Sequence, residues 1–357
     1  MKYHMPTAVF CEQDCIAKHA DEIAATGTHA LIVTGKSSAK KCGALDDVIS
    51  VLERHRLPYT VFDAVEENPS VETVMKARAH GLSAGADFVV GIGGGSPLDA
   101  AKATAFMLSR PESDWQALYT PGVAAALPII AVPTTCGTGS EVTGVSVLTR
   151  HDLQTKLSAT HSIFPKLALI DGKYLCAAPH SLIVNTAVDA LAHLIESCIN
   201  TKASCFSDMN AFAGLQLWRE NRTFIEREIS PDADTAMKLM QASAMAGMAI
   251  AQTGTTLPHA LSYMLTYRAG IPHGIAVGAF QANYLDMAEK SRRDAVLQAA
   301  GFRNTEELRT LLQKLVPLRA DRTLLKASAE AVLHNPKKLA LCPFPVDEAA
   351  MCRLISI

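Results

Sequence analysis

The chain has 357 residues, more than one compact core usually organises, so two domains of about 100 to 200 residues each are expected. Its 33 Lys and Arg against 35 Asp and Glu leave a formal charge of −2 with no basic stripe, which argues against nucleic acid or an anionic membrane as the main partner. No run approaches the roughly 20 apolar residues that cross a bilayer, and nine scattered cysteines without a C-x-x-C pair read as free thiols, so a cytoplasmic location is expected.

In chain order, THALIVTG (28–35), YTVFD (59–63) and DFVVGIG (87–93) read as strands, separated by the helical stretches SSAKKCGALDDVISVLERH and SVETVMKARAHGLSAG. Such alternation predicts βαβ units and a parallel sheet, and the near-continuous apolar runs suit strands covered on both faces. LPIIAVPTT and LALID add two more strands. From Pro179 onward, Ala-, Leu- and Met-rich stretches with helical period dominate, as in APHSLIVNTAVDALAHLIESCIN. The expected fold is an α/β Rossmann-like domain with a parallel sheet at 1–177, then an all-α domain at 178–357. A cleft between two such domains is the default place for a site.

Two loops and a set of histidines carry the chemistry. GIGGGSPLDAAKA follows a strand and opens a helix: Gly93, Gly94 and Gly95 allow a tight turn, Ser96 suits the N-cap, Pro97 the first helical position, and Asp99 resembles a capping-box partner. The helix N-terminus then offers a pyrophosphate site, although the spacing is not G-x-G-x-x-G and a plain tight turn reads the same way. PTTCGTGSEV follows another strand and sets the hydroxyls of Thr134, Thr135, Thr138 and Ser140 at its carboxyl end, where a ligand contact or an ordinary Ser/Thr turn are the two readings. Asp189 and His193, four apart, share a helix face and either grip an ion or form a buried Asp–His pair. His259 lies on a helical stretch and His273 in a Pro-His-Gly turn 14 residues on; one carboxylate with three imidazoles suits Fe(II) or Zn(II). His151, His161 and His180 lack partners at ligand spacing and read as surface or turn residues.

GGGSPLDAAK at 93–102, PTTCGTGSEV at 133–142, DALAHLIE at 189–196, HALSY with GIPHG at 259–274, and NPSVETV at 68–74 together resemble the iron-containing, or group III, alcohol dehydrogenase family. The resemblance covers the chain to about residue 285 and implies the architecture shared with dehydroquinate synthase: a Rossmann-like domain followed by a helical one. It implies that Asp189, His193, His259 and His273 hold Fe(II), with Zn(II) as the alternative. It implies that Gly93 to Ser96, Asp99, Thr134, Thr135, Thr138 and Ser140 contact NAD(P)(H), and that Lys156 joins them near the ribose. The activity implied is hydride transfer between nicotinamide C4 and a small alcohol or aldehyde bound to the metal, in a cytoplasmic homodimer. A zinc-dependent polyol dehydrogenase like glycerol dehydrogenase, and a dehydroquinate synthase-like lyase, are the alternatives.

Three positions depart from the family pattern. Where NAD-using members often place an Asp after the first strand, this chain reads Gly35, Lys36, Ser37, which favours the 2′-phosphate of NADP(H). Tyr263 stands where many members carry a further His, and Cys136 replaces the common Ala of T-T-x-G-T-G-S-E.

Overall fold

In a computed structural model that describes residues 3–227 and 229–356, the strand-like runs pair into one parallel sheet. Its members are β1 (Ala8–Cys11), β2 (Ala30–Gly35), β3 (Tyr59–Val65), β4 (Phe88–Gly93), β5 (Ile129–Pro133) and, after a separate hairpin of β6 (Val147–Arg150) with β7 (Thr155–Ser158), β8 (Leu167–Ile170). The spatial order is β1-β8-β5-β4-β2-β3. Every residue of β4, β5 and β8 is buried, which is why these strands are apolar throughout instead of alternating. Successive side chains still go to opposite faces. Phe88, Val90 and Ile92 pack with Val48 and Leu52 of the Ala44–Arg54 helix, while Val89 packs with Val74 and Phe106 of the Val71–Ala84 and Gly95–Leu108 helices.

The chain runs from β2 outward to β3 and then returns to β4 on the other side of β2. The order therefore reverses between β2 and β4, and the carboxyl ends of these two strands are the place where doubly wound sheets bind ligands. Gly35 ends β2 and Gly93 ends β4.

The chain folds as two compact units, the sheet unit of Met5–Ala178 with Pro231–Met240, and a helical unit of the remainder. In the helical unit, the His180–Cys198 helix is buried continuously from Ala187 to Cys198, so its apolar sequence faces protein on all sides. The Cys205–Glu220, Leu257–Ala269, His273–Gly278 and Gln281–Asp286 helices follow, with further helices to Leu354.

Two expectations need correction. The glycine-turn helix begins at Gly95, with Gly94 as its N-cap and no side-chain cap, so Ser96 lies inside the first turn and Asp99 closes no capping box. The cause is Gly93, whose φ of 146° turns the chain sharply and starts the helix early; a Cβ there would lie 2.6 Å from Pro97 Cγ. His161 lies in a bend of the chain but not at the surface, because it is 7% exposed and stacks on Phe106 with 4.3 Å between ring centroids. The nine cysteines are all free thiols.

Candidate metal centre

Asp189, His193 and Glu196 recur at i, i+4 and i+7 of the His180–Cys198 helix and therefore project from one face of it. His259 stands in the first turn of the Leu257–Ala269 helix and His273 is the first residue of the His273–Gly278 helix. The Pro-His-Gly sequence has a packing reason. A Cβ on Gly274 would sit 1.9 Å from the carbonyl oxygen of Asn185, so only glycine lets this short helix dock on the backbone bearing Asp189.

Three imidazole nitrogens converge on one carboxylate oxygen. Asp189 Oδ1 lies 3.4 Å from His259 Nε2, 3.5 Å from His273 Nε2 and 3.9 Å from His193 Nε2. Asp189, His193 and His259 are buried and offer ligand atoms all within 4.8 Å of one another, while His273, 26% exposed, closes the more open side. Asp189 Oδ1 and His259 Nε2 are buried and make no hydrogen bond, a costly state for an oxygen and a nitrogen this close. Two ligands about 2.1 Å from one ion at tetrahedral or octahedral angles stand roughly 3.0–3.4 Å apart; the His259 and His273 spacings fit a shared divalent cation, and His193 at 3.9 Å stands somewhat wider.

The surrounding hydrogen bonds fix which nitrogen faces inward. Glu196, wholly buried, accepts from His259 Nδ1 at 2.6 Å, from the Thr256 N–H at 2.6 Å, from Thr256 Oγ1 at 2.9 Å and from Gln281 Nε2 at 2.8 Å. Ser262 donates its hydroxyl proton to the His259 carbonyl at 2.7 Å, so toward His273 Nδ1, 3.3 Å away, it acts as an acceptor. Both His259 and His273 therefore carry hydrogen on Nδ1 and present the lone pair of Nε2. Burial alone would push the Glu196 carboxyl up, but the His259 charge and these donors hold it at about 2. Burial likewise opposes ionisation of Asp189, yet the charges of His193 and His273 and the contact with His259 keep it well below the usual carboxylate range. Burial pulls the His259 imidazole down, and Glu196 with Asp189 more than reverses this, to about 9. A cation bound at Nε2 would take the place of the proton that His259 holds there, and with the imidazoles then neutral two carboxylates match its double charge.

Glu196, Thr256, Ser262 and Gln281 are the supporting residues that sequence reasoning missed. Only Glu196 carried a signal, as a charge on the Asp189 face of an otherwise apolar helix.

The other predicted residues gather in the sheet unit at the strand-order reversal. Gly35 faces the glycine turn, with Pro97 Cγ 3.9 Å from where its Cβ would be, and Lys36 and Ser37 follow, exposed. Gly93 to Ser96 form the uncapped helix start, whose free N–H groups suit a phosphate. Asn68, in the left-handed region, ties the elements together: its N–H donates to Ser96 Oγ at 3.0 Å, its side-chain oxygen accepts from Lys156 Nζ at 3.2 Å, and its carbonyl accepts from Thr149 Oγ1 at 2.7 Å. Thr135 and Thr138 are half-buried, whereas Thr134 and Cys136 are buried. The Ser140 hydroxyl is committed to Asp99 at 2.6 Å, and Asp99 also accepts the Val147 N–H at 2.9 Å. Tyr263 lies half-buried on the His259 helix.

Residues 6–172 match the family model described as iron-containing alcohol dehydrogenase, and 183–332 match that of the Fe-containing alcohol dehydrogenase family, C-terminal. An NADPH-dependent butanol dehydrogenase of Clostridium saccharobutylicum is 31% identical over 255 residues, 70% of this chain and 65% of that one. A lactaldehyde reductase of Escherichia coli is 31% identical over 262 residues, 72% of this chain and 67% of that one. The crystal structure of an iron-containing alcohol dehydrogenase from Thermotoga maritima is similar with a TM-score of 0.91 and 35% identity, covering 99% of this chain and 98% of that one. The chain spans less than two thirds of the length of the first curated relatives it matches.

Proposed function

Because the chain belongs to the iron-containing alcohol dehydrogenase family, we propose that it is an NAD(P)-linked oxidoreductase interconverting a small alcohol and its aldehyde at Fe(II) held by Asp189, His193, His259 and His273. The observation that carries this reading is the convergence of three imidazole nitrogens on the Asp189 oxygen without a hydrogen bond. When bound, the ion supplies Lewis acidity toward the substrate oxygen and the nicotinamide gives or accepts the hydride.

The chain's own groups prepare those parts. Asp189 supplies the anionic ligand, and His193, His259 and His273 supply neutral ones. Glu196 and Ser262 hold two of the rings so that Nε2 faces inward. Gly93 to Ser96 and the helix start cradle the pyrophosphate, with Thr135, Thr138 and Lys156 beside it. Residues 1–177 are thereby assigned to the dinucleotide and 178–357 to metal and substrate. Lys36 and Ser37 beside Gly35, with no carboxylate there, favour NADP(H), and the NADPH-dependent relative supports the same preference.

The test is a panel of short alcohols and aldehydes, run with both cofactors on protein of measured metal content. Turnover with NADPH at higher kcat/KM than with NADH is expected. His259→Ala is expected to lose metal and turnover while still binding nucleotide. Undiminished turnover without metal refutes the ligand assignment, and equal or better efficiency with NADH refutes the cofactor preference. Zinc instead of iron in the active protein would support the polyol-dehydrogenase alternative, against which His193 counts as a ligand beyond one Asp and two His.

A further inference from the structure

Lys102 is a charged group that this chemistry leaves unused, and it is withdrawn from water: its side chain is 1% exposed in the Gly95–Leu108 helix. A buried ammonium is costly unless its protons are satisfied. Here they are shared among the carbonyl oxygens of Ser140 at 3.1 Å, Thr143 at 3.3 Å and Val145, with Thr143 Oγ1 at 3.5 Å and Asp99 Oδ1 at 3.1 Å. Asp99, three residues earlier and on the same face, accepts the Ser140 hydroxyl and the Val147 N–H. One ion pair on the glycine-turn helix thus grips the following segment at Ser140, Thr143, Val145 and Val147. Just before the gripped stretch, Thr138 lies so close to the helix start that a Cβ on Gly95 would be 2.6 Å from its Cγ2.

Asp99 can take only one of the ammonium protons, so the others are satisfied by backbone carbonyls of the following segment. Their directions define the path of the segment leaving the Thr134–Ser140 loop. A loop that had to be ordered by its ligand would subtract that ordering cost from affinity, and one held in place beforehand would not. We propose that Lys102 is a positioning residue for the nicotinamide cofactor, holding the 140–147 segment, and with it the exit of the preceding loop, against the glycine-turn helix before the nucleotide arrives. The proposal rests on the nucleotide reading given above.

The experiment uses the full metal-loaded chain, wild type and Lys102→Met, which keeps the length of the side chain and removes its charge. Dissociation constants for NADPH and NADH are measured by fluorescence, that for Zn(II) by chelator competition, and backbone exchange by deuterium labelling. Lys102→Met is expected to weaken both nucleotides about tenfold or more, to raise KM for NADPH more than it lowers kcat, and to leave Zn(II) affinity within about twofold. General destabilisation would not separate the nucleotide from the metal in this way. Nucleotide affinity within twofold of wild type overturns the proposal. Should the variant not fold, the wild type alone decides: amides of 137–147 are expected to exchange slowly before nucleotide is added, and fast exchange that slows only on adding NADPH overturns the proposal. A wild type that binds neither nucleotide overturns the functional reading itself, and this role with it.

Discussion

Replacing the Glu196 carboxylate by an amide of the same shape isolates what its charge does for His259. An amide cannot hold the Nδ1 proton as an ionised carboxylate does, so the ring is free to present the wrong nitrogen. Glu196→Gln is expected to weaken divalent metal binding by about 10- to 100-fold in a chelator competition. Glu141 makes a different residue-scale prediction. Burial pushes its carboxyl from 4.5 to about 7, against the weaker pull of its own backbone N–H and the Lys102 charge. Below pH 4.5 both folded and unfolded chains hold that proton; as pH rises toward 7 only the unfolded chain releases it, so stability falls by up to about 3 kcal/mol across that window. Urea titrations at several pH values are expected to show Glu141→Gln matching wild type near pH 4 and exceeding it above pH 7. The sequence made Asp189 with His193 legible through their spacing, and His273 through its flanking Pro and Gly. It could not show that Thr256 and Gln281 reach Glu196 across 60 and 85 residues, because those contacts are made only by packing.

Among elements, what was legible follows burial. β2, β4 and β5 have continuous apolar runs because helices cover both faces, and such runs are visible in one dimension. β1 has four residues at the sheet edge, and the β6–β7 hairpin is joined by the polar turn around Asp152, so neither announces itself. That hairpin matters because it carries Lys156 to Asn68. The glycine-turn helix starts earlier than its Ser-Pro pair, a strong start signal, suggests, because the glycine backbone before that pair turns into the helix sooner. Ser70 shows the ordinary device: it caps the Val71–Ala84 helix by accepting the Thr73 N–H, and Glu66 accepts its hydroxyl. Ser70→Ala is expected to lower stability by about 1 kcal/mol in urea unfolding, with a matching loss of order at the neighbouring Asn68.

At the scale of the whole molecule, the residues proposed to hold the metal all belong to one unit and those proposed for the nucleotide to the other. Ligand linkage can therefore be read separately. Zn(II) at 100 times its dissociation constant is expected to stabilise the helical unit by about 2.7 kcal/mol, seen as a shift in the urea midpoint that EDTA reverses. No helix among the described residues is long and apolar enough to cross a membrane. The sheet unit, however, is not one continuous stretch. Its Gly172 packs so tightly on a later turn that a Cβ would lie 2.6 Å from the Met237 backbone nitrogen, and Cys11 Sγ stands 3.4 Å from Met237 Sδ. During synthesis, then, the sheet unit emerges from the ribosome unfinished and waits for some sixty further residues before the helical turn that completes it is made. A fragment cut at residue 178 would remain in that immature state.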